Sequence, residues 1–469
     1  MGAIDDYLKE AIPEFRQQLA RLVTIPSSSQ EAEHVGDLLR IVQETANIAR
    51  DYGFTTHILQ SEGNPSENFV AGLVATLEVD PNAPWIIVYN HLDVQPEGDG
   101  WLTKAFEPVV THEKIIGRGA TDDKGPMLTA LHAVNYLRAA GKLKVNVALV
   151  HETKEEAGST GFGKLIQESI GRQLLPAPHS ILVCDTVFQG DNPTISSSLR
   201  GLLTAEVTVT TGTQAVHSGL GGGIAINPMN VLTQLLASCY NEATRKVTIA
   251  DFYEGVLPIA GEMHENLRKV AEGFDLDRYK RDLRAGACYP QDRYEALLRN
   301  WHQPTFEIHN YKGGLEGTKI PPFATAQVTM RMVGQQDPDK VFAAVETHLR
   351  GQLAQCQLPL DVKLDVKKIK GSRAVSVAMD NPYVLAAAEA CEAGFGRRPV
   401  YDGCGGTIGA LPVFQEHFPQ APIVLLAISM VDDGYHAPNE EFKFSQAEKG
   451  IRVISDYLQR VAALPQVRP

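Results

Sequence analysis

The sequence between residues 85 and 94 reads WIIVYNHLDV, in which five apolar or aromatic residues run directly into polar ones. A short run that is rich in β-branched and aromatic residues predicts a strand buried on both faces of a sheet. Functional groups in α/β sheets collect in the loops that follow the carboxyl ends of such strands. His91 and Asp93 therefore stand where a functional site is expected.

Other apolar runs in the chain also lead into acidic or histidine-bearing segments. They are Ile115–Ile116 before Asp122, Lys144–Val150 before Glu155 and Glu156, Ser180–Cys184 before Asp185, and Pro422–Ile428 before His436. Carboxylates and imidazoles are good ligands of divalent ions, and a two-metal site needs a carboxylate between ions ~3.5–4 Å apart. A single strand-end histidine is more often structural, but this combination predicts a metal site.

Composition and charge narrow the class of protein. The 469 residues, of which 43% are hydrophobic and 21% charged, predict a multidomain globular protein. The net charge of −13 argues against nucleic acid and anionic membranes as partners. No apolar stretch approaches ~18 residues, so no membrane span is predicted. Six cysteines without a CxxC pair and the absence of a signal-peptide pattern favour free thiols and a cytoplasmic location.

The order of predicted elements indicates an interrupted α/β domain. Strands alternate with helices before Arg200 and after Asn381, which predicts a mostly parallel central sheet. The intervening strands alternate polar and apolar residues, which is typical of an antiparallel sheet in a smaller α+β unit. We therefore predict a catalytic domain of residues 1–199 and 379–469, and an inserted domain of residues 200–378. The segment Asp251–Asn300 has weak periodicity, and its role stays open.

The polar segments resemble, in content and order, the signature motifs of the dinuclear zinc exopeptidases. This family includes aminoacylase, carboxypeptidase G, succinyl-diaminopimelate desuccinylase and the carnosinases. The segment GRGATDDKG at residues 117–125 is most similar to the carnosinase and cytosolic non-specific dipeptidase branch. The resemblance covers nearly the whole chain except Asp251–Asn300. It implies a zinc-exopeptidase-like α/β catalytic domain with a central, mostly parallel sheet, interrupted by an inserted α+β lid and dimerisation domain.

The same resemblance implies roles for individual residues. It makes His91 and Asp185 ligands of one ion, Glu156 and His436 ligands of the other, Asp122 the bridge between them, Asp93 the residue that orients His91, and Glu155 the general base. It also implies a cis peptide bond after Asp122. The expected cofactors are two divalent metal ions, with Zn²⁺ favoured over Mn²⁺ or Co²⁺.

The inserted domain and a late glycine-rich loop carry further motifs of the family. His217, in a His-Ser-Gly motif followed by Asn227-Pro228, would stabilise the oxyanion across a homodimer, and Asn227 would contact the substrate; a surface loop histidine is the alternative for His217. Arg331 would bind a substrate carboxylate, and backbone N–H groups of Gly405, Gly406 and Thr407 are candidates for the same task. Cys404 stands where the carnosinases have a glutamate.

These observations predict a metal-dependent hydrolase that cleaves the peptide bond of dipeptides or short peptides bearing a free carboxylate. The alternative within the family is an N-acyl-amino-acid deacylase or a desuccinylase, since Cys404 leaves no acidic partner for a substrate amine. A catalytically inactive relative is a further alternative, although all five candidate ligands and Glu155 are present. The expected substrate is a small peptide or an N-acyl amino acid.

Overall fold

The computed structural model describes residues 3–60, 71–283, 286–289, 292–315 and 317–465. Within them the helices are α1 Ala3–Val23, α2 Val35–Asp51, α3 Gly125–Ala139, α4 Phe162–Gly171, α5 Ser218–Gly221, α6 Pro228–Ala237, α7 Gly261–Gly273, α8 Leu276–Asp282, α9 Arg293–His302, α10 Pro338–Gln355, α11 Pro382–Phe395, α12 Ala410–His417 and α13 Phe444–Ala462. The strands are β1 Thr55–Gln60, β2 Ala71–Leu77, β3 Trp85–His91, β4 Val109–Val110, β5 Lys114–Ile116, β6 Asn146–Glu152, β7 Ser180–Val183, β8 Thr194–Leu199, β9 Gly201–Thr210, β10 Val216–His217, β11 Tyr240–Asn241, β12 Lys246–Val247, β13 Glu307–Lys312, β14 Lys319–Ile320, β15 Phe323–Met332, β16 Lys363–Ser372, β17 Val375–Ser376, β18 Val400–Cys404, β19 Ile423–Leu425 and β20 Glu441–Lys443.

A six-stranded sheet in the order β1-β2-β6-β3-β7-β19 joins strands of residues 55–183 with β19 near the end of the chain. Strands β6, β3, β7 and β19 are parallel, whereas β1 and β2 run antiparallel at one edge. The predicted α/β class is therefore confirmed, with a sheet that is mixed rather than uniformly parallel. The parallel part brings the carboxyl ends of β3, β6 and β7 side by side, which places the segments after them at one edge.

Helices cover both faces of this sheet, as the buried β3 run predicts. Val88 packs into the apolar cluster that contains Phe15 of α1 and Ile454 of α13. The next residue, Tyr89, points to the opposite face and packs against Phe162 and Phe414. Because consecutive strand residues alternate between faces, one apolar strand supplies both cores.

The close packing of α11 on α13 predicts opposite effects for two glycine substitutions. A Cβ atom on Gly394 would lie 2.3 Å from Cγ2 and 3.3 Å from the backbone nitrogen of Val453. We expect Gly394→Ala to destabilise the fold by ~1–3 kcal/mol through overpacking. Gly351 on α10 has no neighbouring atom within 4 Å of that position, so Gly351→Ala should stabilise by ~0.5–1 kcal/mol. Urea unfolding of both variants measures this, and equal shifts of the midpoint would contradict the packing argument.

A second, antiparallel sheet has the order β13-β15-β9-β16. Alternate residues of β15, among them Ala326, Val328 and Met330, are fully buried in a separate apolar cluster with residues of α6 and α10. The residues that alternate with them, such as Gln327 and Thr329, are half-buried on the opposite face. An antiparallel sheet packed on one face matches the α+β unit predicted for the inserted part, whose boundaries at residues 200 and 378 stay predictions.

The segment 251–300 forms three helices, α7, α8 and α9, with a small apolar cluster of their own. Trp301 at the end of α9 packs against Gly403, where an added Cβ atom would lie 2.6 Å from the Trp301 Cβ. The segment therefore reaches from the inserted sheet to the glycine-rich loop after β18. None of the helices in the described part of the chain has the length and apolar character needed to cross a membrane.

Candidate dinuclear metal centre

His91 is the last residue of β3, and its ring is almost completely buried. Its Nε2 lies 3.0 Å from Oδ1 of Asp122 and 3.9 Å from Oδ1 of Asp185. Its Nδ1 lies 3.0 Å from the carbonyl oxygen of Asp93, an atom that can only accept a hydrogen bond. The Nδ1 proton is thus fixed toward the backbone, and Nε2 faces the two carboxylates, which is the orientation of a metal-binding histidine.

His436 approaches the same aspartate from the other side. Its Nε2 lies 3.0 Å from Oδ2 of Asp122 and 3.4 Å from Oε2 of Glu156. Each carboxylate oxygen of Asp122 therefore faces a different imidazole. Among the described residues, the structure forms two groups with ligand atoms within 4.8 Å of one another, namely His91 with Asp122 and Asp185, and Asp122 with Glu156 and His436.

The loop that carries Asp122 is held by the fully buried carboxylate of Glu440. This carboxylate accepts hydrogen bonds from Nη1 of Arg118 and from the backbone N–H groups of Gly119, Thr121 and Asp122, all at 2.9–3.0 Å. The peptide bond between Asp122 and Asp123 is cis, as the resemblance implies. No role is assigned to Glu440 from the sequence, although it follows His436 by four residues.

Asp93 and Asp123 fix the remaining elements of the site. The carboxylate of Asp93 accepts the backbone N–H groups of Glu155 and Glu156 at 3.1 and 3.0 Å, and its Oδ1 lies 3.4 Å from the His91 ring. Oδ2 of Asp123 accepts from Nδ2 of Asn90 at 2.7 Å and from the backbone N–H of His91 at 3.2 Å. The only sequence signal for Asn90 and Asp123 was their position beside His91 and Asp122.

Charge in this cluster is unbalanced in favour of carboxylates. Burial raises the pKa of Asp185 and of Glu155 well above the usual range, and nearby negative charge adds to the effect. Burial acts to lower the pKa of His436, but hydrogen bonds to Asp122 and Glu156 raise it to about 11. Oε1 of Glu156 is buried without a hydrogen-bond donor among the described residues. A set of oxygen and imidazole donors with excess negative charge fits divalent cations well.

The other predicted site residues do not belong to these two groups. His217 is exposed at the end of β10, and its Nδ1 accepts from the backbone N–H of Gly219 at 3.0 Å. The side chain of Asn227 caps α6 by accepting from the N–H of Met229 at 2.9 Å. Both residues therefore have local partners within the inserted part.

The structure brings Arg331 and the glycine-rich loop together. Nη1 of Arg331 donates to Oγ1 of Thr407 at 2.8 Å. Arg200, which sequence reasoning passed over, donates through Nε to the carbonyl oxygen of Gly405 at 2.9 Å and accepts from Thr407 through its own carbonyl. Gly406 donates weakly to Sγ of Cys404 at 3.4 Å. No sequence motif could single out Arg200, because its significance depends on contacts made after folding.

A doubly wound sheet that carries two clusters of carboxylate and imidazole around a shared aspartate, at its strand ends, is typical of two-metal hydrolases. The chain belongs to peptidase family M20/M25/M40, whose family model matches residues 87–460. This match confirms the family predicted from the motifs and identifies the chain as a metallopeptidase.

Relatives that align along the whole chain are similar to it in sequence and in structure. Beta-Ala-His dipeptidase from Homo sapiens is 28% identical over 98% of this chain and 89% of its own length. Cys-Gly metallodipeptidase DUG1 from Saccharomyces cerevisiae is 26% identical over 97% of this chain and 96% of its own. The crystal structure of human carnosine dipeptidase 1 superposes with a TM-score of 0.86 at 27% identity, covering 99% of this chain and 100% of that one. These relatives confirm the predicted carnosinase and dipeptidase branch.

Proposed function

We propose that this protein hydrolyses the peptide bond of dipeptides with a free carboxyl terminus, using two bound divalent metal ions. The observation that carries the proposal is the position of Asp122, which places one carboxylate oxygen against each of two histidines. Relatives named as dipeptidases align with the whole chain, and the family is one of peptidases. Both facts favour peptide hydrolysis over other reactions of two-metal sites.

His91 and Asp185 would hold one ion, Glu156 and His436 the other, and Asp122 would bridge them; Zn²⁺ is the proposed occupant, with Mn²⁺ and Co²⁺ as alternatives. Ions bound there supply Lewis-acid polarisation of the scissile carbonyl and lower the pKa of water. Asp93 orients His91 and fixes the backbone of Glu155 and Glu156. The site thus keeps its ligands in place before substrate arrives.

Glu155 is the proposed general base. No hydrogen-bond donor among the described residues occupies its side chain, and burial raises its pKa above the usual carboxyl range. A carboxylate of this kind can take a proton from the attacking water and deliver it to the leaving amine. Glu155 lies one residue from Glu156, so the base and a ligand share the same short loop.

Arg331 is the proposed binding group for the substrate carboxylate, and it predicts an asymmetric response to substrate modification. Converting a dipeptide to its C-terminal amide leaves Arg331 without its anionic partner and should cost ~2–5 kcal/mol of transition-state binding. Acetylating the amine should cost less, because burial raises the pKa of the Cys404 thiol to about 12 and keeps it neutral. Comparing kcat/KM for one dipeptide, its amide and its N-acetyl derivative measures both effects. A tolerated amide would remove Arg331 from this role.

The neutral Cys404 also favours a second candidate function, hydrolysis of N-acyl amino acids. Assay of the metal-loaded protein against a panel of dipeptides and a panel of N-acyl amino acids separates the two. The proposal expects higher kcat/KM on dipeptides, whereas preference for the acylated panel would identify a deacylase. Activity on neither panel, with metal bound, would indicate an inactive relative.

His217 is proposed to stabilise the oxyanion in the site of a second subunit, within a homodimer joined through the inserted domain. Its exposure and its local partner Gly219 are compatible with action away from its own chain. We expect a dimer in sedimentation, and a large loss of kcat in His217→Ala but not in His112→Ala, a control at another exposed histidine.

Mixed dimers test whether His217 acts across the interface. A dimer of one His217→Ala chain and one Glu155→Gln chain contains one intact site if His217 acts across the interface, and none if it acts within its own chain. Coexpressed variants should therefore be more active than either variant alone. Activity no higher than the parents would place His217 in its own subunit's site, or outside any site.

A cytoplasmic location is part of the proposal. All six cysteines are free thiols, which is usual in a reducing compartment. The acidic net charge of −13 supports small peptides, rather than nucleic acid or anionic membranes, as partners.

A further inference from the structure

A cavity of about 1050 Å³ lies between the inserted antiparallel sheet and the helices of the 251–300 segment. Strands β9, β13, β15 and β16 form one side of it, through the sheet face opposite α6 and α10, and α8 and α9 form the other. Arg331, the proposed carboxylate-binding residue, lies in its lining. The cavity therefore extends away from the point where a substrate carboxyl terminus would bind.

The lining of this cavity is cationic, although the chain carries a net charge of −13. It includes five cationic side chains against the single carboxylate of Glu307; the cations are Arg200, Lys280, Arg299, Arg331 and Lys370. Only Arg299 has a carboxylate partner in the described part of the chain, Glu295 at 2.9 Å. Four positive charges thus face the cavity without an ion-pair partner among the residues described.

Two of these cations are fixed close together. Nε of Arg200 donates to the carbonyl oxygen of Gly405, and its Nη2 donates to Oδ1 of Asn300 at 3.3 Å. Nη1 of Arg331 is held by Thr407. Burial and the neighbouring Arg331 lower the pKa of Arg200 to about 10, so both residues are cations at neutral pH. Each guanidinium retains N–H groups with no partner among the described residues.

The cavity is adjacent to the loop that carries Glu155 and Glu156. Lys370 lines the cavity, and its Nζ lies 3.4 Å from the position of a Cβ atom on Gly158. Gly158 immediately follows the short helix Glu155–Ala157. A substrate with its scissile bond at the metal centre could therefore place its carboxyl-terminal residue in this cavity.

We propose that the cavity binds a second anionic group of the substrate, and that the preferred substrates are dipeptides whose carboxyl-terminal residue is Asp or Glu. The inference rests on the proposed dipeptidase function. One α-carboxylate forms a bidentate pair with one guanidinium, here that of Arg331. The cavity lining then keeps an excess of positive charge, because Glu307 balances only one of the three remaining cations, Arg200, Lys280 and Lys370. A carboxylate side chain compensates this excess, and the cavity is large enough to hold it.

A pair of nearly isosteric substrates tests the proposal on the unmodified protein. Gly-Glu and Gly-Gln differ in charge but hardly in shape, and the glutamate side chain is ionised at pH 7. We expect kcat/KM to be at least ~10-fold higher for Gly-Glu at low salt, because complementary charge strengthens binding and association. The ratio should fall toward one as salt rises, since screening shortens the range of the interaction.

Equal kcat/KM values for the two peptides at low salt would overturn the proposal, and a single α-carboxylate shared by Arg200 and Arg331 would then explain the two guanidinium groups. That result differs from failure of the proposed function, in which neither these peptides nor any other dipeptide is hydrolysed by the metal-loaded protein.

Three variants locate the effect. Arg200→Gln should lower the ratio of Gly-Glu to Gly-Gln, but it also breaks the bond to Gly405. Lys280→Gln leaves that bond intact and should lower the ratio as well. Arg350→Gln is the matched control, because this cation on α10 lies outside the cavity lining and pairs with Glu346, and its ratio should equal that of the unmodified protein. A ratio that falls equally in the control would assign the preference to general charge rather than to this cavity, and overturn the proposal.

Discussion

Removal of divalent metal by a chelator is expected to abolish peptide hydrolysis completely, and added Zn²⁺, Mn²⁺ or Co²⁺ to restore it. The physical reason is that the two groups around Asp122 consist of carboxylates and imidazoles, which are ligands suited to the ions that would activate water. Without bound ions, the site would lack the Lewis acid that polarises the scissile carbonyl and lowers the pKa of water. Measuring activity before chelation, after chelation and after reconstitution with metal checks the prediction. Unchanged activity in fully metal-free protein would contradict it.

Metal stoichiometry distinguishes the shared ligand from the others. We expect Asp122→Ala to lower the content of both ions, because each candidate group includes Asp122. Asp185→Ala should lower the content of one ion only. Elemental analysis of the dialysed proteins gives the number of metal ions bound per chain. Equal loss in the two variants would mean that Asp122 does not bridge.

Replacing Glu155 by glutamine should lower kcat by ~10²–10⁴-fold, the usual contribution of general acid–base assistance. The amide has nearly the same shape, so the backbone bond from Glu155 to Asp93 and the metal content should persist. Steady-state kinetics and elemental analysis of the same preparation measure both quantities. The result would identify the role of Glu155 as proton transfer rather than metal binding.

Two other carboxylates serve as controls for this substitution. Glu168→Gln on α4 changes an exposed residue paired with Arg172 and should leave kcat unchanged. Glu156→Gln alters a candidate ligand and should lower metal content together with activity. If Glu155→Gln kept nearly full turnover, Glu155 would be an ordinary loop carboxylate and the base would have to be sought elsewhere.

The cluster of candidate metal ligands was predictable because its residues follow strands that the sequence pattern indicates. The apolar run ending at Tyr89 specifies a buried strand, and parallel neighbours align the segments after it. The motif order then assigned His91, Asp122 and His436 to one place, and the structure brings these three within hydrogen-bond distance. For these three residues, the local sequence pattern and the contacts between distant segments indicate the same site.

Other features depend on contacts that a local pattern does not encode. Helix α6 ends at Ala237, and the side chain of Asn241 then accepts the N–H of Thr244 and supports a turn between β11 and β12. The helices of the 251–300 segment were obscured by weak periodicity. Their apolar residues pack in a small cluster and against β18 rather than along one wide face. Arg200 is recognised as a candidate binding residue only from its contacts with Gly405 and Thr407 in the folded structure.

The hydrogen bonds of Glu440 join backbone groups that lie 318 to 321 positions earlier in the chain. During synthesis, the loop of Asp122 leaves the ribosome long before its partner carboxylate exists, and the whole inserted part is made in between. His436 arrives with the same late segment. The candidate metal centre can therefore be completed only after nearly all of the chain has been translated, because a chain that stops before residue 436 lacks His436 and thus a ligand of one of the two candidate groups.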